Sequence, residues 1–280
     1  MSPKRFRSEF RELLLELHWR QWCALGVAAQ VEPEQNWVID LEALVASSSR
    51  LGPLDARLTK RAREWLALNG DWVSTSRLRR IADAFKAATG ADVQMAEPEL
   101  HGRPRVVHPV VTQPALVQLQ LRALLGMDVR ADVFTYLLFN RSGNSSSISR
   151  ALYVNQKRVY NILERWGSAG LVRRTSGGYS LVDAAVAPGI AEARNRVEWL
   201  NWTMTCMVLV RLHESMTRTG TDERYVLASL ARDVAPDLEQ QAAAVGITLE
   251  RPDRYPGVDY FGPFSDGVVA WLRRLIDKPG

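Results

Sequence analysis

Cysteine is nearly missing from this chain. Cys23 and Cys206 are the two in 280 residues, and both sit far apart in apolar company, which excludes a disulfide framework and any CxxC metal or redox motif. Both read as small buried hydrophobes. Histidine is sparse as well: His18, His101, His108 and His213 are dispersed, and His213-Glu214 lacks the second histidine one helical turn later that a zinc-binding HExxH helix needs. GxxxxGKS/T, GxGxxG, GxSxG and EF-hand patterns do not occur, so standard phosphate, dinucleotide, nucleophile and calcium motifs are excluded. The expectation is no metal, no cofactor and no catalysis. The longest nearly apolar runs, Trp22 to Ala29 and Met204 to Val210, fall short of the ~20 residues of a bilayer span. Leu13-Leu14-Leu15 lies between Glu12 and Glu16, which is no secretory core. The expected place is the cytoplasm, without a membrane partner.

What is present is ordinary globular material, 46% hydrophobic and 24% charged, at a length that implies about two domains or three small ones. The net charge of +5 is unevenly spread. Residues 121–182 hold nine Lys and Arg against three Asp and Glu, residues 1–120 hold 16 against 14, and residues 183–280 hold 11 against 14. Basic excess confined to one segment suits a module facing a polyanion, although a solvated basic face gives the same count.

Apolar spacing predicts helices over 6–30, 40–48 and 54–69 with Gly70 as stop, and then from a Ser74 or Ser76 cap to Gly90. Residues 1–92 thus read as an N-terminal helical domain. Pro98, Pro104, Pro109 and Pro114 interrupt every pattern in 93–114, a Pro-rich linker or arm. A loose similarity between 41–73 and 133–172 leaves open that the first domain is a degenerate relative of the second. After Pro188 the spacing predicts one long helix from 190 to 217, apolar on several faces, with a domain core, a subunit interface or an apolar ligand as its possible cover. Further helices are expected over 222–234 and 236–245, then an aromatic loop over 251–264, then a helix capped by Ser265. Residues 184–280 form a C-terminal helical domain for dimerisation or for partner or effector binding.

Residues 115–183 carry the signal. Helices are expected over 116–125, from Asp132 onward with Val133, Leu137, Leu138 and Phe139 as its apolar face, from one of the serines 145–147 to Val154, and over 156–168 behind an Asn155 cap. In the last of these Val159, Ile162, Leu163 and Trp166 recur at helical spacing. Two β-prone runs, 171–175 and 179–182, flank Ser176-Gly177-Gly178, a hairpin signal. The order is that of a winged helix-turn-helix. The fold class expected is therefore mainly α, a winged helix-turn-helix with a small β-hairpin wing flanked by two helical domains.

The stretch Ser147-Ile148-Ser149-Arg150-Ala151-Leu152, followed by Val154-Asn155-Gln156-Lys157-Arg158-Val159-Tyr160-Asn161 and by Trp166-Gly167-Ser168-Ala169-Gly170-Leu171-Val172-Arg173-Arg174, resembles the MarR/ArsR-type winged-helix core of bacterial transcriptional regulators. Leu121-Arg122-Ala123-Leu124-Leu125-Gly126 with Arg130-Ala131-Asp132-Val133 is similar to a subgroup of such regulators encoded beside nucleotidyltransferase genes. The flanks do not follow the MarR dimerisation scheme, so ligands and dimer geometry are not carried over.

Independently of the resemblance, the polar face of the 156–168 helix offers Gln156, Lys157, Tyr160 and Asn161 to base edges. Arg158 can read bases or phosphate, since Gln and Asn pair with adenine and Arg and Lys with guanine in the major groove. Tyr160 could equally pack, Arg165 suits a contact along its own helix, and Trp166 belongs to the core. Ser145, Ser147 and Arg150 fall where a first helix crosses the backbone, and Arg173 and Arg174 with Tyr179 fall on the wing for phosphate or minor-groove contact. The function expected is a sequence-specific regulator of double-stranded DNA, a homodimeric repressor occluding its promoter. The alternative is an antitoxin-like interaction protein that neutralises a protein partner.

Overall fold

The computed structural model describes residues 1–32, 35–93 and 105–277. Pro98, Pro104 and His101 of the Pro-rich segment lie outside them. Among the described residues there are twelve α-helices and one two-stranded antiparallel sheet. No described helix is long and apolar enough to cross a membrane.

Helix α1 (Pro3–Ala24) begins with proline at its first position behind a Ser2 cap, where the missing N–H is not needed. Its stripe of Phe6, Phe10, Leu14 and Leu17 is buried. Helices α2 (Leu41–Arg50) and α3 (Ala56–Asn69) are capped by the carboxylates of Asp40 and Asp55. Gly70 does not act as a left-handed stop: at φ −58° it carries the chain into a 3-10 turn. Helix α4 (Thr75–Thr89) starts behind Ser74 and ends at Gly90, whose φ of 75° reverses the backbone at little steric cost.

The C-terminal helices are α9 (Pro188–Arg196), α10 (Trp202–Thr219), α11 (Arg224–Ala243) and α12 (Phe261–Ile276). The long helix expected over 190–217 is two helices. Residues 197–201 leave the helical path because Glu198 pairs with the 36–38 segment, accepting from Val38 N and donating to Asn36 O, both at 2.8 Å. Asn201 then caps α10 through Met204 N. Conversely, the helices expected on either side of Pro236 are one. Val234, Ala235 and Leu238 are all buried around the proline, and their packing offsets the lost backbone bond. Ser265 is no cap. It lies inside α12, buried, donating to Gly262 O at 2.8 Å.

The helical segments 1–92 and 184–280, separate in the sequence reading, share one apolar core. Phe6 of α1 meets Phe261 and Phe264 of α12 at ring distances of 5.7 and 6.3 Å. Trp37 Nε1 donates to Leu275 O at 2.9 Å, and Trp202 Nε1 donates to Val38 O at 2.7 Å. The end of the Pro-rich segment is stitched to this body too. Val106 is buried and bridges to Val27, with Val107 N donating to Gly26 O at 3.0 Å. Local periodicity could not reveal this sharing, because it depends on contacts between chain ends.

Helices α5 (Val117–Leu125), α6 (Val129–Phe139), α7 (Ser145–Leu152) and α8 (Gln156–Ser168) are followed by strands β1 (Val172–Thr175) and β2 (Gly178–Leu181). Helix α6 opens behind Asp128 rather than at Asp132. Asp132 is buried within its first turn, turned toward Arg122. A second, smaller core gathers Val133 and Leu137 of α6, Ile148 and Leu152 of α7, Val159, Ile162 and Leu163 of α8, and Val172 and Tyr179 of the hairpin. In the hairpin Val172 pairs with Leu181 and Thr175 with Gly178, so Gly178 belongs to β2 and the turn is Ser176-Gly177.

Candidate nucleic-acid interface

Helix α7 is capped by Asn144, not by a serine. The Asn144 side chain accepts from Ser147 N at 2.8 Å, while Ser147 Oγ accepts from Asn144 N at 3.0 Å. This reciprocal pair satisfies two otherwise free donors at the helix start. It also occupies the Ser147 hydroxyl, proposed from the sequence as a backbone contact. Ser145 opens the helix, half-buried, and Arg150 is exposed with Nη2 3.4 Å from Ser146 Oγ.

Between α7 and α8 the chain turns through Tyr153, which has a φ of 55°. Left-handed backbone is costly for a non-glycine residue. It holds here because Tyr153 Oη reaches Met204 Sδ of α10 at 3.0 Å and because Val154 on its far side is buried in the small core. Asn155 then caps α8 by accepting from Arg158 N at 3.1 Å. With Val159, Ile162 and Leu163 fixed inward, Gln156, Lys157, Tyr160 and Asn161 are exposed, Tyr160 at 47%.

Arg158 is exposed too, but its guanidinium pairs with Asp128 at 2.8 Å, the carboxylate that also holds Arg130 at 3.3 Å. That directs it toward α6, to the flank of α8 rather than its outward face. Asn161, Arg158 and Arg165 border a cleft of about 320 Å³ on this flank. Trp166 lies half-buried, its ring 5.9 Å from that of Phe134.

The hairpin is fastened close to its turn. Gly143 and Tyr179 exchange both backbone hydrogen bonds, at 3.0 and 2.9 Å. Arg173 projects from β1, exposed, with Nε 3.4 Å from Ser180 Oγ. Arg174 donates to Tyr179 Oη at 3.1 Å and to Glu164 Oε1 at 3.2 Å, and stands 5.5 Å over the Tyr179 ring. Tyr179 itself does not face outward as the sequence reading placed it. It is 8% exposed, packed in the small core, with its hydroxyl donating to Glu164. The hydrogen bond to that carboxylate, and then burial, push its phenol up. The pairing with Gly143 holds Tyr179 inward, which leaves the wing to its arginines.

The three acids of residues 121–182 are each paired with arginines of the same segment. Asp128 holds Arg158 and Arg130, and Glu164 holds Arg174. Asp132 is buried with Arg122. Among the described residues no carboxylate lies within ion-pair distance of Arg141, Arg150, Lys157, Arg165 or Arg173. Arg141, exposed in the α6–α7 loop beside Gly143, is not among the sequence-derived candidates. It stands alone between Asn140 and Ser142, with no periodicity to mark it.

A buried charge network joins this unit to the body. Glu42 of α2 is fully buried and accepts from Arg122 at 2.8 and 2.9 Å, from Arg77 at 2.6 Å and from Ser74 N at 2.7 Å. Burial pushes its carboxyl up, but the charges of Arg122 and Arg77 with these hydrogen bonds outweigh that and hold it at about 2. Arg122 continues to Asp132 at 2.9 Å, which also accepts from Gln118 at 2.9 Å. Arg77 continues to Asp40 at 2.7 Å, and its Nε donates to Leu152 O, the last residue of α7, at 2.8 Å. The turn before α8 is thus held by an arginine 75 positions earlier in the chain.

Among the described residues no three His, Cys, Asp or Glu side chains group to hold a metal ion. No family model, curated protein or solved structure matches the chain.

Proposed function

We propose that the chain is a sequence-specific double-stranded DNA-binding regulator in which α6, α7, α8 and the hairpin form a winged helix-turn-helix. The observation that carries this reading is α8: one face is locked into the small core while Gln156, Lys157, Tyr160 and Asn161 stand exposed at its N-terminal half. That half is the part of a recognition helix that reaches base edges. Arg141, Arg150 and Arg173 flank it as phosphate contacts, and the bridge from Gly143 to Tyr179 gives the wing a fixed position. Arg158, paired to Asp128, serves the cleft flank rather than the groove. A homodimer on a two-fold operator is the arrangement that gives one such helix sufficient specificity, and occlusion of the promoter is the mode of repression.

The test is a mobility shift with DNA from upstream of the gene beside scrambled DNA, at about 50 and 200 mM salt, where several phosphate contacts change affinity by orders of magnitude. Preference for upstream DNA that survives the higher salt is the expected result. Absence of binding at either salt refutes the reading and favours capture of a protein partner instead.

A further inference from the structure

We propose that the cleft on the flank of α8 is a seat for the DNA backbone, in which Arg130, Arg158 and Arg165 bind phosphate on the strand opposite the one that meets the wing. The proposal deepens the regulator reading and rests on it. It gives DNA contacts to Arg130 and Arg165, which the sequence did not mark for that role.

The geometry of α8 places the seat. At about 3.6 residues per turn, Arg158 and Arg165 stand two turns apart on one side of the helix, between exposed Asn161 and buried Ile162. Arg130 reaches the same place from the first turn of α6. Asp128, the residue before that helix, holds Arg130 on one carboxylate oxygen at 3.3 Å and Arg158 on the other at 2.8 Å. Each guanidinium spends one N–H there and keeps the others for a second acceptor. Three arginines thus face one carboxylate across a cleft of about 320 Å³. Among the described residues Arg165 has no carboxylate within ion-pair distance. The N-terminal end of α6 adds partial positive charge beside Arg130, while the carbonyl end of α8, at Ser168, lies one turn beyond Arg165. Both the surplus charge and the nearer helix end favour an anion.

Groove dimensions identify that anion. A helix with its side chains is about 10–12 Å across and the major groove is about 12 Å wide, so a helix seated in the groove has a phosphate strand along each flank. One flank of α8 belongs to the wing: a Cβ at Gly167, on the side away from Arg165, would lie 4.0 Å from the Tyr179 ring. Arg173 and Arg174 of β1 serve that strand. The cleft lies on the other flank and gives the second strand its cations. Because backbone contacts fix register, the seat also sets which base edge Asn161, at its lip, can meet.

The double variant Arg130→Gln/Arg165→Gln, at two exposed positions, leaves the cleft neutral and should keep the wild-type melting profile. With the full-length protein, binding to any duplex should weaken at least about tenfold at about 100 mM salt, and the slope of log affinity against log salt should flatten by about 0.9 or more. Arg218→Gln/Arg224→Gln makes the same charge change at the end of α10 and the start of α11. It should leave the slope as in the wild type, since charge more than about 10 Å away is screened. Methylphosphonate, placed at one phosphate after another in the preferred duplex, locates the seat. At least one position should cost the wild type about tenfold and the double variant nothing, while positions under the wing cost both alike. Duplex binding by the wild type with an unchanged slope in Arg130→Gln/Arg165→Gln, or with the same methylphosphonate pattern in both proteins, overturns the seat and leaves the regulator reading standing. No duplex binding by the wild type overturns both.

Discussion

Substituting Glu42 by Gln keeps the side chain's shape and removes one negative charge from the network at the centre of the molecule. Two buried guanidiniums, Arg77 and Arg122, then share only Asp40 and Asp132, and an N–H of the introduced amide would face another donor. The size of the loss can be worked out in two ways. A carboxyl held at about 2 in the folded chain, against its ordinary 4.5, contributes about 3 kcal/mol at neutral pH. Breaking a buried ion pair by removing one partner costs about 3–5 kcal/mol by mutational experience. At about 2–4 °C per kcal/mol for a chain of this order of size, the melting temperature should fall by about 10 °C. Urea unfolding followed by tryptophan fluorescence reads the difference, with Arg196→Ala as the control. Arg196 belongs to an exposed pair on α9, where under about 0.5 kcal/mol is expected. Because the folded carboxyl is depressed, its contribution is complete above the unfolded value and fades as pH falls from about 4.5 toward 2. The gap between wild type and Glu42→Gln should close over that window. A loss below about 1 kcal/mol at neutral pH, or a gap independent of pH, would refute the network as a source of stability.

Gly178→Ala should detach the wing, since a Cβ there would lie 2.5 Å from the Gly143 carbonyl at a φ of +122°. Deuterium exchange at the Tyr179 amide should quicken at least about tenfold, and unchanged protection would contradict the fastening described. His18, buried and bonded to Leu14 O and Ser47 Oγ, is held at about 4 by burial, which the Leu14 carbonyl partly opposes. The unfolded chain takes up this proton first, so stability should fall as pH drops from about 6.5 to 4, by about 3 kcal/mol. His18→Gln should flatten that slope in urea titrations, and an unaltered slope would assign it elsewhere. On DNA, Asn161→Ala should relax preference at one base pair, whereas Arg173→Ala should weaken all sequences alike and flatten the salt dependence. Wild-type binding by both would misplace the reading head.

Legibility in the sequence followed the range of the interactions. Helix α8 was readable because its cap and its apolar stripe are local: Asn155, then Val159, Ile162 and Leu163. The hairpin was readable from its Gly-rich turn. The break between α9 and α10 was not, since it depends on Glu198 meeting Trp37 and Val38 from the far end of the chain. Nor was the common body core, or Arg77, whose spacing in α4 shows an amphipathic helix and nothing of Leu152. Tyr179 misled because an aromatic beside two arginines suits a polyanion equally well. Only its pairing with Gly143 turned it inward.

The hydrogen bond from Arg77 to Leu152 O has a consequence for spacing along a DNA axis. A reading head on a flexible tether can find half-sites over a range of separations. One whose turn is gripped by the body's own helices moves only with the body. Were two copies to read one operator, inserting a single base pair between its halves would rotate them by about one tenth of a turn. A gripped head could not follow that rotation without releasing Arg77. Operators for such a protein would share one invariant centre-to-centre distance, with little tolerance for the next integer.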